Sequence, residues 1–290
     1  MIAPGTTRRA VLGGIASGLA FNSVGVAARN DRPAGPLATR NRELLFRRFA
    51  IYLSLVDKGD PGQRGYLATG AQISLPAHLQ CTTLRTVALD DGGALLAAEI
   101  KINRSGGSDT PEPEFDLQFY RIANGYITEI ISVANGAQLT RGESAAVTRP
   151  PKPAAGPLPD TVASRHMTRA KFQDYLKLFG QFDERFVFFY ADDVVFTALP
   201  APKPLHGREA ILQLYRPLRR NMGENLTVHQ LVIDSEAGLV VAALTNRLTA
   251  YGTVVLPGST LESGDQLLLS GAIVYGLSNG RINLIRDVGR

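Results

Sequence analysis

The stretch QLLLSGAIVYGLSNGRINLIRDV, residues 266–288, decides how this chain is read. Gln266 to Leu277 and Arg281 to Val288 are strand-length runs, and Ser278-Asn279-Gly280 between them suits a tight hairpin, because Asn and Gly accept positive φ. Upstream, Leu226 to Ile233 and Leu239 to Tyr251 have the same character, which makes four strand candidates in succession. Before them the period is helical. In Arg169 to Phe182, the residues Phe172, Tyr175, Leu176 and Phe179 recur at three- and four-residue spacing and define one apolar face. A short helix is expected at Phe186 to Tyr190, a strand at Val194 to Phe196, and a Pro-punctuated loop at Pro200 to Pro204. Gly207 then precedes a helix over Arg208 to Arg220, with Ile211, Leu212 and Tyr215 on its apolar side and Pro217 as a possible kink or end. Helices first and hairpin-linked strands after them predict an α+β domain in which helices cover one face of a curved antiparallel sheet.

The same order of elements occurs earlier in the chain. Arg42 to Val56 reads as an opening helix, Tyr66-Leu67-Ala68 runs in step with Tyr190-Ala191-Asp192, and Leu89-Asp90 matches Ile233-Asp234. Tyr120 and Asn124-Gly125 match Tyr275 and Asn279-Gly280. The offset widens between the first two anchors by about one helix of chain, corresponding to Leu205 to Gly223, so the first copy is reduced. Pro150, Pro151, Pro153, Pro157 and Pro159 mark the connection, since Pro neither propagates a helix nor pairs in a central strand. The expected organisation is therefore a reduced domain at 38–137, a Pro-rich linker at 138–163 and a complete domain at 164–290.

The chain of 290 residues has room for two such cores, and 44% apolar with 20% charged residues is a globular composition. The net charge of +5 is mild, and Lys and Arg are scattered among acids, which argues against a nucleic-acid surface. Residues 1–28 read as a twin-arginine-type signal peptide: Arg8 and Arg9 precede the apolar run Ala10 to Phe21, and Val26-Ala27-Ala28 offers a small-residue cleavage site. The run is too short to span a bilayer, so the mature chain is expected in the periplasm or outside the cell, with no membrane attachment after cleavage. The single Cys81, at the start of a predicted strand, offers no disulfide, and no Asp, Glu or His lies at metal-ligand spacing from His206 or His229. No metal and no cofactor is expected.

The segments Tyr190-Ala191-Asp192-Asp193-Val194-Val195-Phe196, His206-Gly207-Arg208-Glu209-Ala210-Ile211 and Asn279-Gly280-Arg281-Ile282 make residues 165–290 resemble a SnoaL-like (nuclear-transport-factor-2-like) domain. With the internal repeat, the resemblance implies two tandem cone-shaped SnoaL-like domains. The family includes polyketide cyclases, ketosteroid isomerases, scytalone dehydratases, limonene epoxide hydrolases and many non-catalytic partners, so the fold leaves the chemistry open. Thr245-Asn246-Arg247-Leu248-Thr249 and Arg286-Asp287 are similar to the mid-sheet and terminal patterns of limonene epoxide hydrolase, in which an Arg bridges two Asp residues and one of these activates water. Arg247 and Asp287 hold the matching places. Thr249 stands where the other Asp would be, and Phe196 and Ala198 stand where the pattern has Tyr and Asn. The base of a ketosteroid isomerase would fall near Thr197-Ala198, and neither residue can accept a carbon-bound proton as a carboxylate can.

The candidate catalytic set is Asp287, Arg247 and His229. An inward Asp287 would be tuned by burial and by Arg247, and His229 titrates near neutral pH. Tyr190, Phe196, Asn246, Thr249 and Tyr175 are the candidate pocket residues. In the first copy Asn103 and Ser132 occupy the positions of Arg247 and Asp287, which suits a scaffold or interface role. Two functions stay open: a cofactor-free lyase, isomerase or hydrolase acting on a small hydrophobic molecule, and a non-catalytic binding or scaffold protein. In both, the two domains pack as a pseudo-dimer within the chain, and a homo-oligomer is possible.

Overall fold

A computed structural model describes residues 42–74, 81–102, 114–133, 135–142, 147–149, 151, 156–198, 200–201, 203–256 and 258–288. The signal segment at 1–28 and Asn103 lie outside these residues. The described residues belong to one compact unit.

The first half runs α1 (Arg42–Asp57), a 3-10 helix (Pro61–Tyr66), β1 (Leu67–Ser74), β2 (Cys81–Leu89), β3 (Leu95–Ile102), β4 (Glu114–Ala123), β5 (Tyr126–Val133) and β6 (Gly136–Thr140). The second half runs a 3-10 helix (Asp160–Ala163), α2 (Arg169–Gly180), a 3-10 helix (Glu184–Phe189), β7 (Tyr190–Phe196), β8 (Leu205–His206), α3 (Arg208–Arg220), β9 (Met222–Asp234) and β10 (Leu239–Ala250). It ends with β11 (Val254–Leu256), β12 (Ser259–Leu261), β13 (Gln266–Ser278) and β14 (Arg281–Asp287). The protein is mixed α+β with curved sheets. Thr168 caps α2 by accepting from Lys171 N at 3.1 Å, and the predicted face of Phe172, Tyr175 and Phe179 is buried. Helix α3 continues three residues past Pro217 rather than ending there. Asn279 and Gly280 take φ of 51° and 70°, and Asn124 and Gly125 take 53° and 79°, the left-handed pair that the two hairpins require.

The first sheet has the order β1-β5-β4-β3-β2, and the second the order β8-β7-β14-β13-β10-β9. In each, one parallel pair, β1 with β5 and β7 with β14, adjoins strands that are otherwise antiparallel. Strand β6 crosses from the first half to the second sheet, pairing Gly136–Thr140 with Ser270–Gln266, on the edge of β13 below the last residue, Ile273, that β14 covers. The linker expected from residue 138 therefore needs correction, because Gln138, Leu139 and Thr140 are strand residues. The prolines that forbid pairing begin only at Pro150, so 136–140 keeps its backbone donors.

Helix α1 covers one face of the first sheet around Leu45, Phe49, Tyr52 and Tyr120. Helices α2 and α3 cover one face of the second around Phe172, Phe179, Tyr190 and Ile211. The opposite faces meet through Ala88, Ala97 and Phe119 against Val232, Val241, Ala272 and Val274. Across this seam Arg286 forms a bidentate pair with Glu99, both bonds 2.8 Å. The edges cross-cap: Leu89 N donates to Asp234 Oδ2 at 2.8 Å and Ile233 N to Asp90 Oδ1 at 3.3 Å. The first residues of α1 and α2 follow the same exchange, Arg42 pairing with Asp234 at 2.5 Å and Arg169 with Asp90 at 3.7 Å.

Candidate functional site

Between α2, α3 and the concave face of the second sheet lies a cavity of about 480 Å³. Tyr175 and Phe179 of α2, Phe196 of β7, Tyr215 of α3 and Leu244, Leu267 and Tyr275 of the sheet form much of its wall. Leu256 and Ser259 of the β11–β12 hairpin and Ala137 of β6 close its end. The lining is chiefly apolar and aromatic, as expected where a cone of strands tapers beneath helices.

One side of the wall is polar. Glu224 and Asn246 face the cavity from β9 and β10, near one another because Asn246 pairs with Leu226 and Leu248 with Glu224. Asn246 Nδ2 donates to Glu224 Oε1. The other carboxylate oxygen lies against Arg219 as an ion pair and accepts no hydrogen bond of ordinary geometry. The Arg219 and Glu224 side chains are 1% and 4% exposed. Arg219 also donates to Phe179 O at 3.2 Å, and its guanidinium carbon lies 5.2, 5.3 and 5.7 Å from the ring centroids of Phe179, Phe182 and Tyr215. Burial pushes its pKa down to about 10, which leaves it a cation at neutral pH.

A second group of polar atoms is phenolic. The hydroxyls of Tyr175 and Tyr190 are 3.1 Å apart, and the ring of Tyr275 stands edge-on to that of Tyr175 with centroids 6.1 Å apart. Burial pushes the pKa of Tyr175, Tyr190, Tyr215 and Tyr275 up, with neighbouring phenols adding to the shift. These groups stay protonated at neutral pH and act as neutral hydrogen-bonding sites.

Of the residues predicted from sequence, Tyr175, Phe196 and Asn246 line the cavity. Tyr190 is fully buried behind Tyr175, bonded to its hydroxyl. Thr249 shares the outer face of β10 with Arg247, while Asn246 and Leu248 face inward. Asp287 lies opposite Ile273, on the same inner face as Ile285 and Tyr275, and its charge helps raise the phenols of Tyr215 and Tyr275. It does not reach the cavity lining. Arg247 is exposed, opposite Leu268 on the outer face. The predicted Arg247–Asp287 pair is therefore not made. The two residues are on opposite faces and pair with positions five residues apart on β13, a separation of about 17 Å. His229 is also exposed on the outer face, with Nε2 2.8 Å from Thr245 Oγ1. Arg219 and Glu224 were missed because the strand was expected to start at Leu226, whereas β9 starts at Met222. Alternation continued back from Leu226 would have placed Glu224 inward.

Among the described residues no group of three His, Cys, Asp or Glu side chains could hold a metal ion, and no helix is long and apolar enough to cross a membrane.

Residues 172–285 match the family model described as the SnoaL-like domain. Residues 172–285 are a SnoaL-like domain. Its family includes polyketide cyclases, isomerases and epoxide hydrolases. Comparison with curated proteins gave no match. Among solved structures, a Mycobacterium tuberculosis LEH-like epoxide hydrolase is similar at 18% identity over 41% of this chain and 79% of its own, with a TM-score of 0.31. An NTF2-like protein of unknown function from Burkholderia pseudomallei shows 17% identity over 41% of this chain and 87% of its own, with a TM-score of 0.32. A computationally designed 17-OHP binder shows 16% identity over 41% and 89%, with a TM-score of 0.34.

Proposed function

We propose that the SnoaL-like domain binds a small hydrophobic molecule in its cavity, and that the first half is a reduced second copy of the domain serving as scaffold, the two forming a pseudo-dimer within an exported chain. The observation that carries the ligand reading is the apolar, aromatic-lined cavity of about 480 Å³ with a small polar patch on one wall. The copy reading is supported by the shared strand order with one parallel pair in each sheet, and by the swapped Arg42–Asp234 and Arg169–Asp90 contacts. Export rests on Arg8, Arg9 and the apolar run that follows. Retention of an Arg8→Lys, Arg9→Lys precursor in the cytoplasm is the expected result, and unchanged export refutes that part.

The ligand reading is tested by thermal shift with a panel of hydrophobic enones, epoxides and aryl ethers. A compound at 100 times its dissociation constant should add about 2.7 kcal/mol of stability. Leu244→Trp, which fills the cavity, should remove that gain; equal gain in the variant shows that binding is elsewhere.

A second reading, cofactor-free lyase, isomerase or hydrolase chemistry, is favoured by one observation. Glu224 is a carboxylate that faces the cavity, whereas Asp287, Arg247 and His229 do not converge there. Turnover of a bound compound that stops in Glu224→Gln while binding persists is the expected result.

A further inference from the structure

Strand β14 covers the edge of β13 only as far as Ile273, and from Ser270 to Gln266 the same edge is covered by β6. Ala137 of β6 lies opposite Leu269 and both line the cavity, so β6 is the piece of wall that continues where β14 stops. It is also the least secured piece. All five of its residues are exposed, and among the described residues its ladder is with β13 alone. The helical walls are pinned instead by buried rings: Phe179 meets Tyr215 edge-on at 5.2 Å, and Tyr175 packs on Tyr190 and Tyr275.

One side chain ties this piece down. Asp265 accepts from Arg141 Nη1 at 2.5 Å and Gly142 N at 2.9 Å, just beyond β6, and from Glu262 N at 3.0 Å, just beyond β12. Arg141 Nη1 also donates to Thr260 O at 3.3 Å, so the two elements that close this end of the cavity are joined through a single carboxylate. Gly142 passes so near Gly264 that a Cβ on it would lie 2.4 Å from the Gly264 carbonyl carbon. A strand that buries no side chain and hangs on one clasp opens before the packed core does. We infer that β6 is a lid supplied by the first half of the chain, that ligand enters and leaves the cavity when β6 lifts from β13, and that Asp265 is the clasp. This inference rests on the ligand reading above.

Stopped-flow exchange of N-phenyl-1-naphthylamine, a neutral fluorophore that brightens in apolar surroundings, tests this on the full chain. Gln138 and Leu268 lie opposite one another on the outer face, away from the cavity and at cross-strand spacing that a disulfide can bridge. In a Cys81→Ser, Gln138→Cys, Leu268→Cys protein, oxidation should slow entry and release alike by about tenfold or more, leaving the dissociation constant unchanged, and reduction should restore both rates. Asp265→Ala should speed both by about tenfold, because hydrogen bonds to a charged acceptor are lost. Equal rates in the oxidised and reduced forms overturn the lid while the cavity reading stands, since the probe still binds. Unchanged rates in Asp265→Ala overturn the clasp. No binding, or binding that Leu244→Trp does not weaken, removes the cavity reading and the lid with it. The comparison of oxidised and reduced forms decides the matter even if Asp265→Ala folds poorly.

Discussion

Glu224 and Arg219 are worth most to the protein as a pair. Each is an ion removed from water, so the attraction between them mainly repays their desolvation, and losing one partner strands the other. Glu224→Leu should therefore cost about 3–5 kcal/mol, because an enclosed guanidinium is left with only the Phe179 carbonyl and aromatic faces. The double variant Arg219→Met, Glu224→Leu should regain most of that loss, since two apolar side chains of similar volume need no partner. Urea unfolding of both variants checks this, and a Glu224→Leu protein as stable as the parent shows that the pair is not enclosed. Neither residue announces itself in the sequence. Arg219 reads as one of several bases in the last turn of a helix, and Glu224 as a turn residue, until the start of β9 at Met222 sets its face.

At the scale of elements, β6 is the least expected part. Its attachment is governed by Asp265, which accepts from Arg141 Nη1 at 2.5 Å, Gly142 N at 2.9 Å and Glu262 N at 3.0 Å. The backbone donors from Glu262 and Gly142, with Arg141 beside them, hold its carboxyl below the usual value of 3.8. A carboxyl whose folded pKa is depressed contributes stability above its unfolded pKa and loses it as pH falls through the folded value. Protection of the β6 amides against hydrogen exchange should therefore hold at pH 5 and decline below about pH 4, ahead of the β9–β10 amides. Asp265→Ala should show the same loss at neutral pH. Undiminished β6 protection in that variant would mean that the strand is held by its ladder alone. This strand was hidden in the sequence because its partner lies more than 120 residues later and it adjoins a Pro-rich stretch. A five-residue run with no covered face carries little pattern of its own.

For the whole molecule, the seam between the sheets should make the two halves unfold together. Asp234 is fully buried and accepts from Arg42 Nη2 at 2.5 Å, Leu89 N at 2.8 Å and Ala237 N at 2.9 Å. Asp90, at the matching place, has a side chain 23% exposed and a looser ion pair at 3.7 Å. Asp234→Ala should cost about 2–4 kcal/mol, because two amides lose their acceptor and Arg42 keeps only the looser pair with Glu236, and Asp90→Ala about 1 kcal/mol. Both variants should still melt in one transition, because the apolar seam of Ala88, Phe119, Val232, Val241 and Val274 joins the cores. Two separate transitions in the parent protein, followed by calorimetry, would show that the halves are independent.

Local pattern alone was enough for the hairpin at Asn279-Gly280, the apolar faces of α2 and α3, and the order of helices and strands. Each of these depends on residues within a few positions of one another, through turn conformation and helical or alternating period. Alternation likewise ties Ile285 and Asp287 to one face, but it could not say which face looks inward, nor show the bulge at Asn283 that turns Ile282 to the same side. Tertiary structure decided that Asp287 faces the helices while Arg247, Thr249 and His229 face away from them, that β6 joins a distant sheet, and that Arg219 meets Glu224 beside Asn246. These outcomes depend on strand register and on which sheet face each core covers, and both are set by contacts between residues far apart in the chain.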